Sequence, residues 1–149
     1  MKEKFMHLAL EQANKAFHLG EVPIGAVVVR NDEVISLGFN MRETLKDPTA
    51  HAELIAIRRA AQRLQGWRLI DCEIYVNVEP CAMCCEAIIQ SRIKRLIFGL
   101  REPKTGAIYS KLQLPQIRNA KLEIEEGILE EESKILLQKF FNKIRNKNK

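Results

Sequence analysis

Apolar positions recur every three to four residues at Phe5, Leu8, Ala9, Ala13 and Ala16, and Gly20 follows them. That stripe predicts an amphipathic helix over residues 3 to 19, closed by a glycine. The pattern then changes. "PIGAVVVR" and "EVISLGF" are apolar runs on either side of Asn31-Asp32, which predicts two antiparallel strands and a tight turn. From Thr49 to about Leu64 the helical period returns through Leu54, Ile55 and Ile57, with Asp47 and Thr49 as capping types before it and Gly66 after it. Trp67 reads as a core or helix-packing residue. "CEIYVNV", "CAMCCEAIIQ" and "RLIFGL" read as strand, helix and strand, a unit with a parallel crossover. "KLEIEEGI" supplies a fifth strand, and residues 129 to about 145 a last helix through Leu129, Leu136 and Phe140. The longest irregular stretch runs from Arg101 to Asn119, and long loops often carry function. The expected architecture is an α/β domain with helices on both faces of a mixed sheet.

Composition adds limits to this outline. At 149 residues, 46% hydrophobic and 29% charged, the chain reads as one globular domain over residues 1–149. No stretch approaches the roughly 18 apolar residues of a membrane-spanning helix, and Glu3 and Glu11 interrupt the N-terminal segment. The expectation is a cytoplasmic protein with no signal peptide and no membrane contact. The formal charge of +5 is compatible with a polyanionic partner. After Glu132 no acidic residue follows, while Lys134, Lys139, Lys143, Arg145, Lys147 and Lys149 do. These cations either complement a helix C-terminus and a solvated tail or touch an RNA backbone. His7 and His18 have no motif around them and read as surface residues.

Four cysteines crowd into one segment, at 72, 81, 84 and 85. In a reducing compartment such clustering points to metal or redox chemistry before disulfides. Cys81 and Cys84 follow Pro80 at a strand-to-helix junction, one helical turn apart, so both can face one metal. The helix N-terminus there favours thiolates. Cys85 is turned about 100° away, and both it and Cys72 read as small core residues. His51 and Glu53, in "DPTAHAE", enter the start of another helix. Each has an ordinary reading by itself, a surface histidine and a helix-start carboxylate. Together with Cys81 and Cys84 they make a rarer set: one His and two Cys leave the fourth position of a zinc ion for water, as in catalytic sites. A nearby carboxylate that does not bind the metal can then carry protons, a task that fits Glu53.

"HAE" with "PCAMC" resembles the zinc-dependent cytidine deaminase superfamily, and "EVPIGAVVV", "WRLIDCEIYVNVEPCAMC", "SRIKRLIFG", "KTGA" and "EEGIL" extend the likeness to its bacterial tRNA-specific adenosine deaminases. The resemblance implies a three-layer α/β/α sandwich with a five-stranded mixed sheet. It implies one catalytic zinc per subunit on His51, Cys81 and Cys84, with Glu53 as the proton shuttle. The implied reaction converts the wobble adenosine (position 34) of a tRNA anticodon loop to inosine, on a homodimer whose RNA site draws on both subunits. Asn40 matches the family's base-holding asparagine. Glu102 stands where many relatives carry Asp beside the ribose, and Phe140 and Phe141 match an aromatic pair in the last helix. "SKLQLPQIRNAK" is shorter than its counterpart and lacks an Asn-His before the last strand. Two alternatives stand beside this reading. One is a deaminase of a free nucleobase or nucleotide, of guanine or cytosine type. The other is a non-catalytic zinc module using Cys72 or Cys85 as a fourth ligand.

Overall fold

The computed structural model describes residues 2–147, so Lys149 of the basic tail lies outside the described residues. The first helix, α1, spans Lys2–His18 and ends where Gly20 takes a positive φ of 78°. Strands β1 (Gly25–Arg30) and β2 (Glu33–Phe39) form the expected hairpin. Asn31 and Asp32 both have positive φ, 52° and 62°, as a two-residue type I′ turn requires. Helix α2 (Ala52–Leu64), strand β3 (Cys72–Val78), helix α3 (Ala82–Gln90) and strand β4 (Arg95–Leu100) follow. A four-residue helix α4 (Leu114–Ile117) interrupts the stretch expected to be irregular, with Pro115 inside its first turn. Strand β5 (Glu123–Glu125) and helix α5 (Glu130–Lys147) close the chain.

The sheet order is β2-β1-β3-β4-β5. β1 runs antiparallel to β2 and β3, whereas β4 runs parallel to β3 and β5, which gives the mixed sheet. Alternate side chains of the central strands feed two cores, as a period of two demands. Val28, Ile74, Val76, Leu96 and Phe98 pack with Ala52, Ala56 and Ala60 of α2 and Cys85 and Ile88 of α3. Val27, Val29, Tyr75 and Ile97 pack with Phe5, Met6 and Ala9 of α1 on the other face. Both faces are therefore covered, and β1 and β3 are buried along nearly their whole length.

Two glycines let helices press onto the sheet at the end where the site lies. A Cβ on Gly38 would stand 2.6 Å from the carbonyl oxygen of Ala52 and 2.9 Å from the amide of Ala56 in α2. One on Gly25 would run into the backbone of α1 at Ala9 and Ala13.

Four local expectations are corrected. Trp67 is 54% exposed and not in the core. Gln65 takes the left-handed C-cap of α2 in place of Gly66, and the chain then turns Leu69, fully buried, inward instead. The Trp67 ring carries the guanidinium groups of Arg68 and Arg92 at 4.3 and 5.6 Å from its centroid. Asp47 and Thr49 do not cap α2: Asp47 accepts from the amide and hydroxyl of Thr49 in a turn ahead of the helix. In α5 the buried residues are Ser133, Leu137 and Phe140, while Leu136 is half-buried. His7 and His18 are exposed as expected.

Glu21 fixes the loop that leads from β2 to α2. It is 1% exposed and accepts from the amides of Glu43 and Thr44 and from the Thr44 hydroxyl. Burial pushes its carboxyl up, but these hydrogen bonds together outweigh it and hold the pKa below 4.5. A depressed carboxyl contributes stability above its unfolded pKa and loses it as pH falls through the folded value. Amide-exchange protection of Glu43 and Thr44 is thus expected to be steady from neutrality to about pH 4.5 and to fall below it. In Glu21→Gln that acid step should vanish; a step of unchanged size there would assign it to another group.

Candidate active site

The start of β1 and the ends of β2, β3 and β4 lie at one end of the sheet, and the N-termini of α2 and α3 converge there. Each helix opens on a candidate ligand. His51 is the N-cap of α2 and Cys81 the N-cap of α3, both with extended backbone and neither making a side-chain cap hydrogen bond. A conventional cap side chain is worth about 1 kcal/mol. Both helices forgo it and turn the N-cap side chain toward the site. Cys81 thus lies just outside the helix, and Cys84 sits one turn in.

The His51 Nδ1 lies 3.6 Å from Cys81 Sγ and 3.5 Å from Cys84 Sγ. All three ligand atoms fall within 4.8 Å of one another. A tetrahedral zinc with bonds of about 2.0–2.1 Å to nitrogen and 2.3 Å to sulfur has N···S edges of about 3.5–3.6 Å. The donors fit that ion in both type and spacing. The hydrogen bond from Cys84 pulls the Cys81 thiol down to about 4, with His51 adding to it. Cys84 is pushed up because it donates to Cys81 and is buried. A divalent cation replaces such shared protons. Cys85 is buried outside the triad, its thiol raised to about 12 by burial, and Cys72 is fully buried in the core. Neither belongs to the cluster, so the fourth ligand required by a structural zinc module is absent among the described residues.

Glu53 occupies the second position of α2, is 4% exposed and is not part of the ligand set. Burial pushes its carboxyl up from 4.5 to about 7, while His51 and Cys84 oppose that shift. A carboxyl enclosed in this way, beside the ligand cluster and outside it, is placed to carry protons.

A cavity of about 230 Å³ opens over these groups, reaching His51, Glu53 and Cys81. Asn40, Glu102 and Phe141 also line it, so one pocket gathers six of the seven residues singled out in the sequence, and Cys84 lies directly beneath. Asn40 is 8% exposed; its amide donates to Val22 O at 3.3 Å, and its Oδ1 accepts from Arg42 N at 3.2 Å. One N–H and one lone pair remain for a ligand. Glu102 accepts from Lys104 N through Oε1. Phe141 is 47% exposed at the pocket wall, whereas Phe140 is buried against Phe17.

Sequence reasoning missed Glu79. This carboxylate, 3% exposed, accepts from the amides of Glu102, Ile108, Tyr109 and Ser110 and from the Ser110 hydroxyl. It ties the loop after β4 to the strand end that presents Cys81, and Pro80 O accepts from Ala107 N beside it. Burial raises the Glu79 carboxyl, but the five hydrogen bonds win and its pKa lies below 4.5. An acid ending an apolar strand, in "YVNVEPC", was the available signal.

The family described as the cytidine and deoxycytidylate deaminase zinc-binding region matches residues 1–100. A tRNA-specific adenosine deaminase from Haemophilus influenzae is 47% identical over 150 residues, covering 99% of this chain and 87% of the relative. A solved structure from work on A-to-I editing by tRNA:A34 deaminases superposes with a TM-score of 0.87 at 40% identity. It covers 90% of this chain and 99% of that one. A guanine deaminase from Nitrosomonas europaea, 22% identical with a TM-score of 0.81, shares the fold over 93% of this chain and 83% of its own. With its His51-Cys81-Cys84 triad in the matched region, the chain belongs to the cytidine and deoxycytidylate deaminase zinc-binding family, alongside the tRNA-specific adenosine deaminases.

Proposed function

We propose that the protein converts the wobble adenosine (position 34) of a tRNA anticodon loop to inosine by hydrolytic deamination. One observation carries this over a free nucleobase: the pocket does not end at Phe141. Glu102, Leu137 and Phe141 also line an adjoining open groove with Arg101, Lys134 and Arg145. A single base fills a pocket, but a chain of phosphates uses a basic groove beside it. An anticodon loop suits such a site because its unstacked bases can be splayed out.

His51, Cys81 and Cys84 hold one zinc ion. Zinc, when bound, supplies Lewis acidity that brings the pKa of a water toward ~7. Glu53 takes one proton from the attacking water and gives it to the purine ring nitrogen N1, then takes the second from the new C6 hydroxyl and gives it to the departing amine. Water oxygen joins C6, and the C6–N bond breaks to release ammonia. Asn40 offers its remaining donor and acceptor to the base edge. Val22, Ile24, Val78 and Leu137 supply apolar walls that exclude water. Glu102 faces the mouth, where the sugar of a flipped nucleotide would lie.

The basic residues of α5 do not all point the same way. Lys139 and Lys143 lie over the Phe17 ring at 5.4 and 5.3 Å from its centroid, whereas Lys134 and Arg145 face the groove. A homodimer, with both subunits shaping the RNA site, completes the proposal; among the described residues no helix is long and apolar enough to cross a membrane.

The test compares inosine formation on an anticodon stem-loop with turnover of free adenosine, guanine and cytidine. Preferential deamination of the stem-loop supports the proposal. Faster turnover of free guanine or cytidine replaces it with the free-base reading.

A further inference from the structure

Asn77 and Ser133 are both fully buried, far apart in sequence, and joined to each other by two hydrogen bonds. The Asn77 amide donates to Ser133 Oγ at 3.1 Å, and Ser133 Oγ donates back to the Asn77 carbonyl at 2.8 Å. The second amide hydrogen goes to Pro23 O at 3.0 Å, and Oδ1 accepts from Gly25 N at 2.8 Å. Both amide hydrogens and the serine hydroxyl are therefore spent.

The position of this pair is what gives it consequence. The β1–β3 ladder ends at Ala26 and Val76. At the next step the Asn77 side chain, not its backbone, takes the Gly25 amide. Across the β3–β4 pair, Asn77 also falls between the matched residues Val76↔Phe98 and Val78↔Leu100. On its β1 side β3 thus loses backbone pairing at Asn77, while toward β4 it stays paired as far as Val78 and Leu100, and the pocket opens beside that break. Three of the pocket's walls meet at this amide: Val22 and Ile24 flank the Pro23 carbonyl it holds, Val78 follows it in β3, and α5 is held through Ser133. Leu137 lies one helical turn beyond Ser133 and Phe141 a second, so all three share one face of α5.

We propose that Asn77 and Ser133 form a positioning pair that sets the distance of the Leu137–Phe141 wall from Val22 and Ile24, and so the affinity of the pocket for a splayed-out base. This rests on the proposed function and names a residue pair that touches neither substrate nor metal. Ordinary core packing would hold α5 against the sheet without specifying its height. Two reciprocal hydrogen bonds specify it, because a shift along or away from the strand leaves buried polar groups unpaired.

The experiment measures anticodon stem-loop deamination by wild type, Ser133→Ala, Phe141→Ala and the double variant, with zinc content and thermal unfolding recorded for each. Ser133→Ala is expected to raise KM about tenfold, from the two hydrogen bonds lost, with a smaller change in kcat and full zinc occupancy. In the Phe141→Ala background the same substitution is expected to change KM by less than about threefold, because the aromatic part of the wall is already gone and only Leu137 is left to position. Equal effects of Ser133→Ala with and without Phe141, or an unchanged KM, overturn the proposal. If Ser133→Ala lowers the unfolding temperature into the assay range, Ser133→Cys, which keeps a weak donor, is measured in its place under the same criteria. Wild-type failure to deaminate the stem-loop counts against the proposed function itself and is thereby distinguished from failure of the pair.

Discussion

Glu53→Gln is expected to retain one zinc per chain and to lose deamination by about 10³-fold or more, the range for removal of a positioned proton carrier. The amide is nearly isosteric and sits where Glu53 is already enclosed, so the pocket keeps its shape. What disappears is the capacity to accept a proton from water and return it to the leaving amine. Metal analysis and single-turnover kinetics on an anticodon stem-loop separate the two effects. Undiminished turnover would remove Glu53 from the chemistry, and loss of zinc would make it a ligand, contrary to the geometry of the triad. His51→Ala gives the contrasting pattern, with zinc and activity falling together.

The second large effect lies at a residue that lines the pocket but points its carboxylate into the loop after β4. Glu79→Gln is expected to destabilise the fold by at least about 3 kcal/mol, because charge-assisted hydrogen bonds are among the strong ones and their loss leaves buried donors unpaired. The glutamine NH2 would also face N–H groups in the ring of donors that now point at the carboxylate. For a domain of this size that corresponds to a fall of roughly 6–12 °C in Tm. The loop carrying Glu102 and Thr105 would loosen with it, raising KM. Calorimetry tests the first part and stem-loop kinetics the second; a Tm within 2–3 °C of wild type would show that water or loop movement satisfies those amides.

Periodicity located every strand and the four long helices, since their apolar faces are continuous in sequence. It failed where the deciding contact is remote. Trp67 has the composition of a core residue, and only the left-handed exit at Gln65 turns it outward. Ser133 is polar and interrupts the apolar stripe of α5, yet it is fully buried because Asn77, in another element, supplies its partners. The candidate ligand set was legible because thiols and an imidazole are scarce and bring their chemistry with them. Glu79 was not, because a glutamate is common and its role depends on the direction of four backbone amides. The pocket's apolar walls were invisible for the same reason: Val22, Val78 and Leu137 are ordinary core types until the end of the sheet separates them.

Gly38 carries no functional atom, yet it decides how closely α2 approaches the sheet. His51 is the N-cap of that helix, while Cys81 and Cys84 sit at the N-cap and in the first turn of a different one, α3. The tightness of the ion's grip is therefore inherited from a contact between backbones. A methyl group at position 38 would move one jaw of the chelate and leave the other in place. Its signature would be a protein that folds but releases its metal readily to a competing chelator, so that the grip on the ion is governed in part by a residue that offers it no ligand.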